Sequence, residues 1–333
     1  MSKNAIASTD SDSISNPADS GETEPGRRVE HEIIVAAPAA EIYRLIVDVR
    51  NWPRLFPPTI HVEHLGQSAD TERIRICATA NGAVKTWTSR RRLDPAAHRI
   101  DFWQEISAPP VAWMGGSWLV EELEPHRSRV RLLHDYRAIG NEPGALAWID
   151  EAVDRNSRSE LAALKSNVEL AGETELFLSF EDSLHIDGAA RDVYDFLNEA
   201  QLWTERLPHV ARVRLSEDTS GVQLLEMDTL TKDGSRHTTS SVRICSPHER
   251  IVYKQIVVPA LMTLHTGYWQ LTEDGTGTTA TSQHSVVINR ANIAAVLGDR
   301  AGIAEAREFI RNALGNNSRA TLRHAKSYAE SRS

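Results

Sequence analysis

The sequence predicts an α+β protein made of two tandem, similar domains. The length of 333 residues is about twice that of a typical domain of roughly 150 residues. The first half begins with one strand and short helices, continues with alternating strands and ends with a long helix. The second half repeats the first at a constant spacing of 151 residues.

The chain starts with a segment that has little to bury. Residues 1–28 are rich in Ser, Asp, Asn, Glu, Gly and Pro, so we expect a disordered tail. After it, the run VEHEIIV at 29–35 alternates like a strand, and APAAEIYRLIVDV at 37–49 has helical spacing. These two elements open the first domain.

The rest of the first domain is predicted to be antiparallel strands followed by one helix. Alternating runs from about 60 to 138 indicate strands joined by tight turns. A helical pattern from about 145 to 170 closes the unit. We therefore place the first domain at 29–172 and the second at 173–333.

The repeat is most convincing at its tryptophans. Fourteen of the 86 residue pairs formed between positions 37–122 and the positions 151 further on are identical, whereas average composition gives roughly 5. Trp52 pairs with Trp203 and Trp118 with Trp269, without a gap. The second domain is therefore a diverged duplicate of the first.

Composition excludes several classes of protein. The 46 acidic and 37 basic residues leave a net charge of −9, which argues against nucleic-acid binding. No run of about 18 apolar residues predicts a membrane span, and no secretion signal opens the chain, so we expect a cytoplasmic protein. Cys77 and Cys245 lie far apart without metal-ligand spacing, so we expect plain buried thiols and no metal. No other cofactor is expected either.

Strand alternation turns two ionisable residues toward the domain interior. In KTWTSRRRL, Trp87 is the natural inward residue, and Arg91 shares its face. In VRLLHDYR, His134 lies on the face of Leu132 and Tyr136. The alternatives are that Arg91 is a solvated edge residue and that His134 is a hydrogen-bonded core residue.

The closing helix adds an acid to the same interior. At 100° per residue, Ile149, Val153, Asn156 and Glu160 fall within one narrow arc. A buried carboxylate is costly unless it is paired or hydrogen-bonded. The pattern therefore indicates either a structural buried salt bridge or a hollow between sheet and helix that holds Arg, His and Glu.

Several runs of the sequence resemble the polyketide aromatase/cyclases of bacterial type II polyketide synthases. These runs are AAPAAEIY, FPPTIHVEHL, TWTSRRRLDP, APP…GGSW and LLHDY followed by RNSRSEL. The resemblance covers 29–170, with 185–325 as a diverged copy, as in the di-domain members of that family. It implies a tandem pair of helix-grip domains, also called Bet v 1-like or START-like, in which a curved antiparallel sheet wraps a long helix around a deep pocket.

The resemblance also implies a set of site residues. Relatives that form a first ring between carbons 7 and 12 carry an Arg, a His and an acid, matched here by Arg91, His134 and Glu160. The family has Asp where this chain has the longer Glu160. The remaining residues expected to line this pocket are Trp52, Phe56, Trp87, Ser89, Gln104, Met114, Trp118, Tyr136 and Asn156.

The second copy departs more from the family pattern. Arg91 aligns with Val242 at the repeat spacing, so the second pocket is expected to lack the guanidinium. After a one-residue slip in the alignment, His134 corresponds to His284. A further histidine, His265, replaces Met114. This leaves two hypotheses, a binding or stabilising partner and a catalytic role in dehydration. The residues expected in the second pocket are Trp203, Ser240, Gln255, His265, Trp269, His284, Asn317 and Thr321.

The implied activity is regiospecific aldol cyclisation with dehydration of a poly-β-ketone, without a covalent intermediate. Arg91 is expected to stabilise the developing enolate, and His134 to move protons. Glu160 is expected to orient His134 or to act as its partner acid. The alternative is a non-catalytic protein that binds lipids or aromatic products, although such a carrier would gain little from buried charge.

The resemblance implies a weak, transient partner, an acidic acyl carrier protein of the minimal polyketide synthase that holds the substrate. The net charge of −9 disfavours that encounter, so a local basic area is expected. Its candidate residues are Arg90, Arg92, Arg99, Arg307, Arg311, Arg319 and Arg323.

Overall fold

Each half of the chain folds as a seven-stranded antiparallel sheet with a long helix packed against it. The computed structural model describes residues 26–169, 174–230 and 236–332. The predicted fold class, α+β with two tandem helix-grip domains, is confirmed. The predicted tail lies outside the described residues up to residue 25, and its last two residues belong to the first strand.

The first domain follows the predicted order of elements. Its helices and strands are β1 (Arg27–Val35), α1 (Ala39–Val47), α2 (Trp52–Leu55), β2 (Thr59–Gln67), β3 (Thr71–Ala80), β4 (Ala83–Asp94), β5 (Arg99–Ile106), β6 (Val111–Glu124), β7 (Arg127–Ala138) and α3 (Pro143–Glu169). The long helix therefore begins two residues before its predicted start.

The second domain repeats this order and adds a short helix before the long one. Its elements are β8 (Phe177–Ile186), α4 (Ala190–Asn198), α5 (Trp203–Arg206), β9 (Val210–Thr219), β10 (Val222–Leu230), β11 (Arg236–Ser246), β12 (Arg250–Val257), β13 (Met262–Asp274), β14 (Gly277–Ile288), α6 (Ile293–Leu297) and α7 (Ile303–Glu330).

The two sheets have the same topology. The strand order is β1-β7-β6-β5-β4-β3-β2 in the first and β8-β14-β13-β12-β11-β10-β9 in the second. All neighbouring strands in the two sheets are antiparallel. They are also consecutive in sequence, except that the first strand of each sheet pairs with the last. This pairing folds the sheet back along the helix and encloses an interior between them.

Both long helices are anchored to the first strand of their sheet in the same way. The Glu169 carboxylate accepts a hydrogen bond from the backbone N–H of Ala36 at 3.1 Å, just after β1. The Glu330 carboxylate accepts one from the backbone N–H of Asp187 at 3.0 Å, just after β8. Residues of α7 therefore correspond to those of α3 at a spacing of 161, which aligns Glu160 with Thr321.

The two domains contact one another through the outer faces of their sheets. Ile60 and Cys77 of the first domain form a buried apolar cluster with Val242 of the second. The guanidinium of Arg54 lies 4.0 Å from the ring centre of Phe177. Burial of these groups ties the two duplicates together.

The described residues contain no helix long and apolar enough to cross a membrane. Across the same ranges, no group of three or more His, Cys, Asp or Glu side chains is placed to hold a metal ion. Cys77 and Cys245 are free and buried, as predicted.

Gly116 of β6 occupies a position with no room for a side chain. A Cβ there would collide with the carbonyl oxygen of Leu133 and the ring of Phe102. Since the carbonyl belongs to the neighbouring strand, we expect Gly116→Ala to lower the free energy of unfolding by about 1–3 kcal/mol or more, measured by urea unfolding. Gly66→Ala is the control, because no atom lies within 4 Å of its added carbon. Equal stability of the two variants would contradict this packing.

Candidate active site

A cavity of about 140 Å³ lies between the sheet and α3 in the first domain. Its wall is largely apolar and includes Trp52 from α2, Trp87 from β4, Met114 from β6 and Ile149 from α3. Few polar side chains reach it, and they come from different elements. This combination is typical of a small-molecule site.

The structure brings seven of the twelve predicted first-domain site residues to this cavity. Two are ionisable and the others are aromatic, amide or thioether side chains. The seven are Trp52, Trp87, Gln104, Met114, His134, Asn156 and Glu160.

His134 of β7 lines the cavity as a neutral imidazole. Burial lowers its pKa to about 3, and the charge of His31 acts in the same direction. Its Nδ1 is buried without a hydrogen-bond partner, and its ring packs edge-on against Phe102 at 5.5 Å between centres. No described group holds this imidazole in a structural hydrogen bond, so its Nδ1 is not committed to the fold.

Glu160 of α3 lines the same cavity as a carboxylic acid. Burial raises its pKa to about 8, although the positive charge of Lys254 opposes the shift. Among the described residues no donor forms a hydrogen bond or ion pair with its carboxyl group. At neutral pH the group therefore holds a proton that it can donate.

The two groups line one largely apolar cavity and differ in whether they carry a transferable proton at neutral pH. A neutral imidazole accepts protons, and a protonated carboxyl donates them. Separation of pKa values by environment is how enzymes assign base and acid roles to neighbouring groups. The arrangement is suited to moving protons on and off a bound organic molecule.

Arg91 does not line the cavity, which corrects the prediction that it acts there beside His134 and Glu160. Its side chain is 1 % exposed, and its guanidinium forms an ion pair with the buried carboxylate of Glu72. It also donates to the carbonyl oxygens of Ile46 at 3.0 Å and Val47 at 2.7 Å. These acceptors lie at the last turn of α1, where a cation stabilises unpaired carbonyls.

Arg91 lies on the inner face of β4, as strand alternation predicts, but its guanidinium lies away from the cavity. Trp87 and Arg91 do share the inner face of β4, yet only Trp87 reaches the cavity. Arg91 lies four residues further along, beside Glu72 of β3 and Phe102 of β5. Its guanidinium lies 5.0 Å from the ring centre of Trp52, whose indole separates it from the cavity.

The second domain contains a similar buried arginine, one residue after the Val242 that the repeat spacing aligns with Arg91. Arg243, 2 % exposed, donates to the carbonyl oxygen of Leu197 at 2.6 Å and lies 5.3 Å from the ring centre of Trp203. Its strand neighbours are Gln223 and Tyr253. These are the counterparts of Glu72 and Phe102, so the counterpart of Arg91 is Arg243 rather than Val242.

Four other predicted first-domain residues pack in the core instead of lining the cavity. The ring of Phe56 stacks on that of Trp118 at 5.7 Å, and both are buried. Ser89 is buried in β4. Tyr136 is fully buried, and its hydroxyl donates to Asp150 at 2.6 Å. Their inward direction was predicted, but neighbouring side chains cover them.

In the second domain, the position of the cavity histidine is occupied by a hydrogen-bonded network. His284 pairs with Gly267 on β13, as His134 pairs with Gly116 on β6. Its Nδ1 lies 2.8 Å from the Tyr253 hydroxyl and 3.0 Å from His265 Nε2. Its Nε2 lies 2.6 Å from the hydroxyl of Ser318 on α7.

This network leaves His284 no unpaired ring nitrogen. Burial lowers the pKa of His284 to about 4, and burial and His284 together lower the pKa of His265 well below its ordinary value. Tyr253 and His265 take the places of Phe102 and Met114. Positions that line the cavity or flank its histidine in the first domain thus hold a hydrogen-bonded polar network in the second.

The other predicted second-pocket residues do not form a common site. Trp203 and Trp269 belong to the apolar core. The hydroxyl of Thr321 donates within its own helix to the Asn317 carbonyl at 3.0 Å. Asn317 is exposed, so its assignment to the pocket is wrong. Ser240 and Gln255 are partly buried, and the counterpart of Ser89 in the strand register is Ser241 rather than Ser240.

Four polar or aromatic residues that were not predicted also line the first-domain cavity, which are Thr59, Lys85, Trp148 and Ser157. Ser157 is buried next to Asn156 on α3. Lys85 and Trp148 lie together, with the ammonium 5.4 Å from the ring centre, and Lys85 also donates to the Pro109 carbonyl at 2.9 Å. Ser157 was detectable because it lies beside the polar arc of α3, whereas the pairing of Lys85 with Trp148 has no local sequence signal.

The arginines predicted for a basic docking face are mostly neutralised by neighbouring acids. Arg90 pairs with Glu105, and Arg92 and Arg99 share Asp101. In the second domain, Arg311 and Arg319 share Asp182. Arg307 donates to two backbone carbonyl oxygens. Arg323 is exposed.

The chain matches one protein family over both domains. The family model is described as polyketide cyclase / dehydrase and lipid transport, and it matches residues 26–169 and 178–330. The two matched segments coincide with the two sheets and their long helices.

Relatives match nearly the whole chain. It is 52% identical over 297 residues to a granaticin polyketide synthase bifunctional cyclase/dehydratase of Streptomyces virginiae, covering 88% of this chain and 97% of the relative. It is 45% identical over 317 residues to the actinorhodin counterpart of Streptomyces coelicolor, covering 92% and 98%. The crystal structure of the di-domain ARO/CYC BexL from the BE-7585A biosynthetic pathway superimposes with a TM-score of 0.83 at 62% identity, covering 91% of this chain and 99% of that one.

The Arg91–Glu72 pair predicts a stability role for Arg91. Arg91→Met leaves the 4 %-exposed Glu72 carboxylate with only the partly exposed His64, 3.4 Å away, so we expect the free energy of unfolding to fall by about 3–5 kcal/mol, measured by urea unfolding. Glu72→Gln should cost less, because Gln223 stands beside Arg243 in the second domain. Arg90→Met, on the outer face, is the control. A folded Arg91→Met protein of unchanged stability would refute this role.

The raised pKa of Glu160 predicts a pH-dependent stability penalty. The folded state keeps this proton up to about pH 8, whereas an unfolded chain loses it near its ordinary pKa of 4.5. Stability therefore falls as pH rises between these values. We expect Glu160→Gln to gain on the order of a few kcal/mol relative to the wild type at pH 9 compared with pH 4, measured by denaturant unfolding. The exposed Glu151→Gln on the same helix is the control, and a difference that does not change with pH would contradict the assignment.

Proposed function

Because the chain belongs to the polyketide cyclase/dehydrase family over both of its domains, we propose that its first-domain cavity folds and cyclises a poly-β-ketone. The chain is an enzyme of the polyketide synthase bifunctional cyclase/dehydratase class. The finer proposal is that it closes the first ring between carbons 7 and 12 and then removes water to form an aromatic ring.

One observation supports this proposal most directly. His134 and Glu160 line the same aromatic-walled cavity, one as a free base and the other as a protonated acid. Poly-β-ketones are flexible and have many reactive carbons, so the cavity must select which carbon meets which carbonyl. The walls provided by Trp52, Trp87 and Trp148 restrict the chain to few folded conformations.

The proposed steps need only proton transfers by this chain. His134 removes a proton from a methylene group between two ketones, and the resulting enolate carbon attacks a distant ketone carbon. Glu160 donates its proton to the oxygen of that ketone, which becomes a hydroxyl group. The hydroxyl then leaves as water with a hydrogen from the neighbouring carbon, and repeated enolisation gives the aromatic ring.

Arg91 has a different proposed role from the one that the family resemblance implies. Its donors are engaged by Glu72, Ile46 and Val47, so it supports the cavity from behind Trp52. In this proposal it is a positioning residue that holds the Trp52 indole, while the charge developing on substrate oxygens is met by Glu160.

We further propose that the substrate arrives on an acyl carrier protein. The relatives are components of polyketide synthases, which supports delivery by another protein of that system. Because most candidate arginines are paired with acids, the encounter should depend on few free charges and be weak. Lys85, beside Trp148 on the cavity lining, is a further basic residue available to an acidic carrier.

The second domain is proposed to act as a stabilising partner rather than as a second proton-transfer site. Both ring nitrogens of His284 have partners within the network with Tyr253, His265 and Ser318. A catalytic histidine needs a nitrogen directed at the substrate. The dehydration is accordingly assigned to the first-domain cavity.

The proposal is tested by the product spectrum of a minimal polyketide synthase supplied with purified enzyme. We expect His134→Ala and Glu160→Gln each to lower the rate of first-ring aromatic product formation by about 100-fold. Glu151→Gln, the same change on the exposed face of α3, should leave the rate unchanged. Full activity of Glu160→Gln would refute the acid role. A protein that slows product loss without altering the product spectrum would instead be a carrier.

A further inference from the structure

A lysine of the second domain reaches the wall of the first-domain cavity. Lys254 of β12 is 3 % exposed. Its ammonium donates to three carbonyl oxygens of the segment that links α2 to β2, those of Phe56 and Pro57 at 2.9 Å and that of Thr59 at 2.8 Å. Thr59 itself lines the cavity together with Glu160.

The direction of this side chain follows from strand alternation. Tyr253 points into its own domain, where it joins the histidine network, so the next residue points outward. Lys254 pairs across the sheet with Val242, which lies in the apolar cluster between the domains with Ile60. The outer face of the second sheet is therefore the face that meets the first domain. In the first domain, the corresponding position is Trp103.

The acceptors indicate that Lys254 binds as a charged group. Three carbonyl oxygens require three N–H donors, which the ammonium has and the neutral amine lacks. Burial opposes this charge by lowering the pKa of Lys254, whereas the charge of Glu160 and the three carbonyl acceptors favour the ammonium form. An isolated buried cation would be costly, and these carbonyl contacts offset that cost.

We propose that Lys254 is a positioning residue that the second domain supplies to the first-domain cavity, where it holds segment Phe56–Thr59 and acts electrostatically on the Glu160 carboxyl. The first cavity is then complete only when the second domain is present. This deepens the proposed function, because it gives the duplicate domain a part in the acid chemistry of the first.

Other charged groups that face Glu160 are accounted for. His134 of β7 is neutral at the working pH. The ammonium of Lys85 on β4 is engaged by the Pro109 carbonyl and the Trp148 ring. Lys254 is the cation that acts on the Glu160 carboxyl, opposing the effect of burial.

The test is an infrared titration of the Glu160 carboxyl in the full-length protein. The C=O band of the protonated acid is assigned by its loss in Glu160→Gln. We expect a wild-type midpoint near pH 8 and a midpoint higher by about one pH unit in Lys254→Met, because removal of a nearby positive charge favours the protonated form. Lys254→Arg, which keeps the charge, should restore a midpoint close to that of the wild type.

Two further variants make the result decisive. Lys254→Gln removes the charge but keeps two donors for the carbonyl oxygens, so it serves if Lys254→Met does not fold. Lys326→Met removes a lysine that pairs with Glu330 on α7 and should leave the midpoint unchanged. An unchanged midpoint in a folded Lys254→Met or Lys254→Gln protein would overturn the proposal. Since the titration needs no turnover, a failed cyclase assay with a shifted midpoint would reject the proposed function and retain this inference.

Discussion

Burial of ionisable groups between a curved sheet and a long helix is the constraint on which the rest of this structure depends. Each buried group meets it in a different way. Arg91 is paired with Glu72 and helix carbonyls, whereas His134 is neutral and Glu160 protonated. Among the described residues, neither His134 nor Glu160 has the hydrogen-bonded partners that hold Arg91 in place. This difference separates the structural part of the interior from the cavity.

Comparison of the two domains shows the same difference between buried groups with and without hydrogen-bond partners. Both domains retain the arginine that binds the end of the first helix and lies against a tryptophan, which are Arg91 on Trp52 and Arg243 on Trp203. They differ around the buried histidine. Tyr253 and His265 satisfy His284, whereas the apolar Phe102 and Met114 at the matching positions cannot satisfy His134. Both copies therefore share the arginine and tryptophan, whereas, among the described residues, the histidine that pairs with the glycine of the sixth strand is hydrogen-bonded in the second copy only.

The domain interface connects these two interiors. The outward face of the second sheet contributes Val242 to an apolar cluster with Ile60 and Lys254 to the carbonyls beside Thr59. The second domain thus supports the wall of the first-domain cavity from outside, through contacts of its own outer sheet face.

Much of the fold and part of the site were predictable from the sequence. Period-two alternation determined that Trp87, Arg91 and His134 face inward, because successive side chains of a strand point to opposite faces. Helical periodicity placed Glu160 on the buried face of α3 for the corresponding reason. The repeat at 151 residues determined the number and order of the domains.

Only the tertiary structure decided how far each inward residue lies from the cavity and what contacts it. Arg91 lies against the ring of Trp52 and forms an ion pair with Glu72. Periodicity predicts which face of a strand a side chain is on, but not how far along the strand the cavity extends. A one-residue shift in β11 made Arg243, rather than Val242, the counterpart of Arg91, because strand register depends on pairing with neighbours. Lys254 acts across 195 residues of chain on Thr59, and such a contact exists only after both domains have folded and packed.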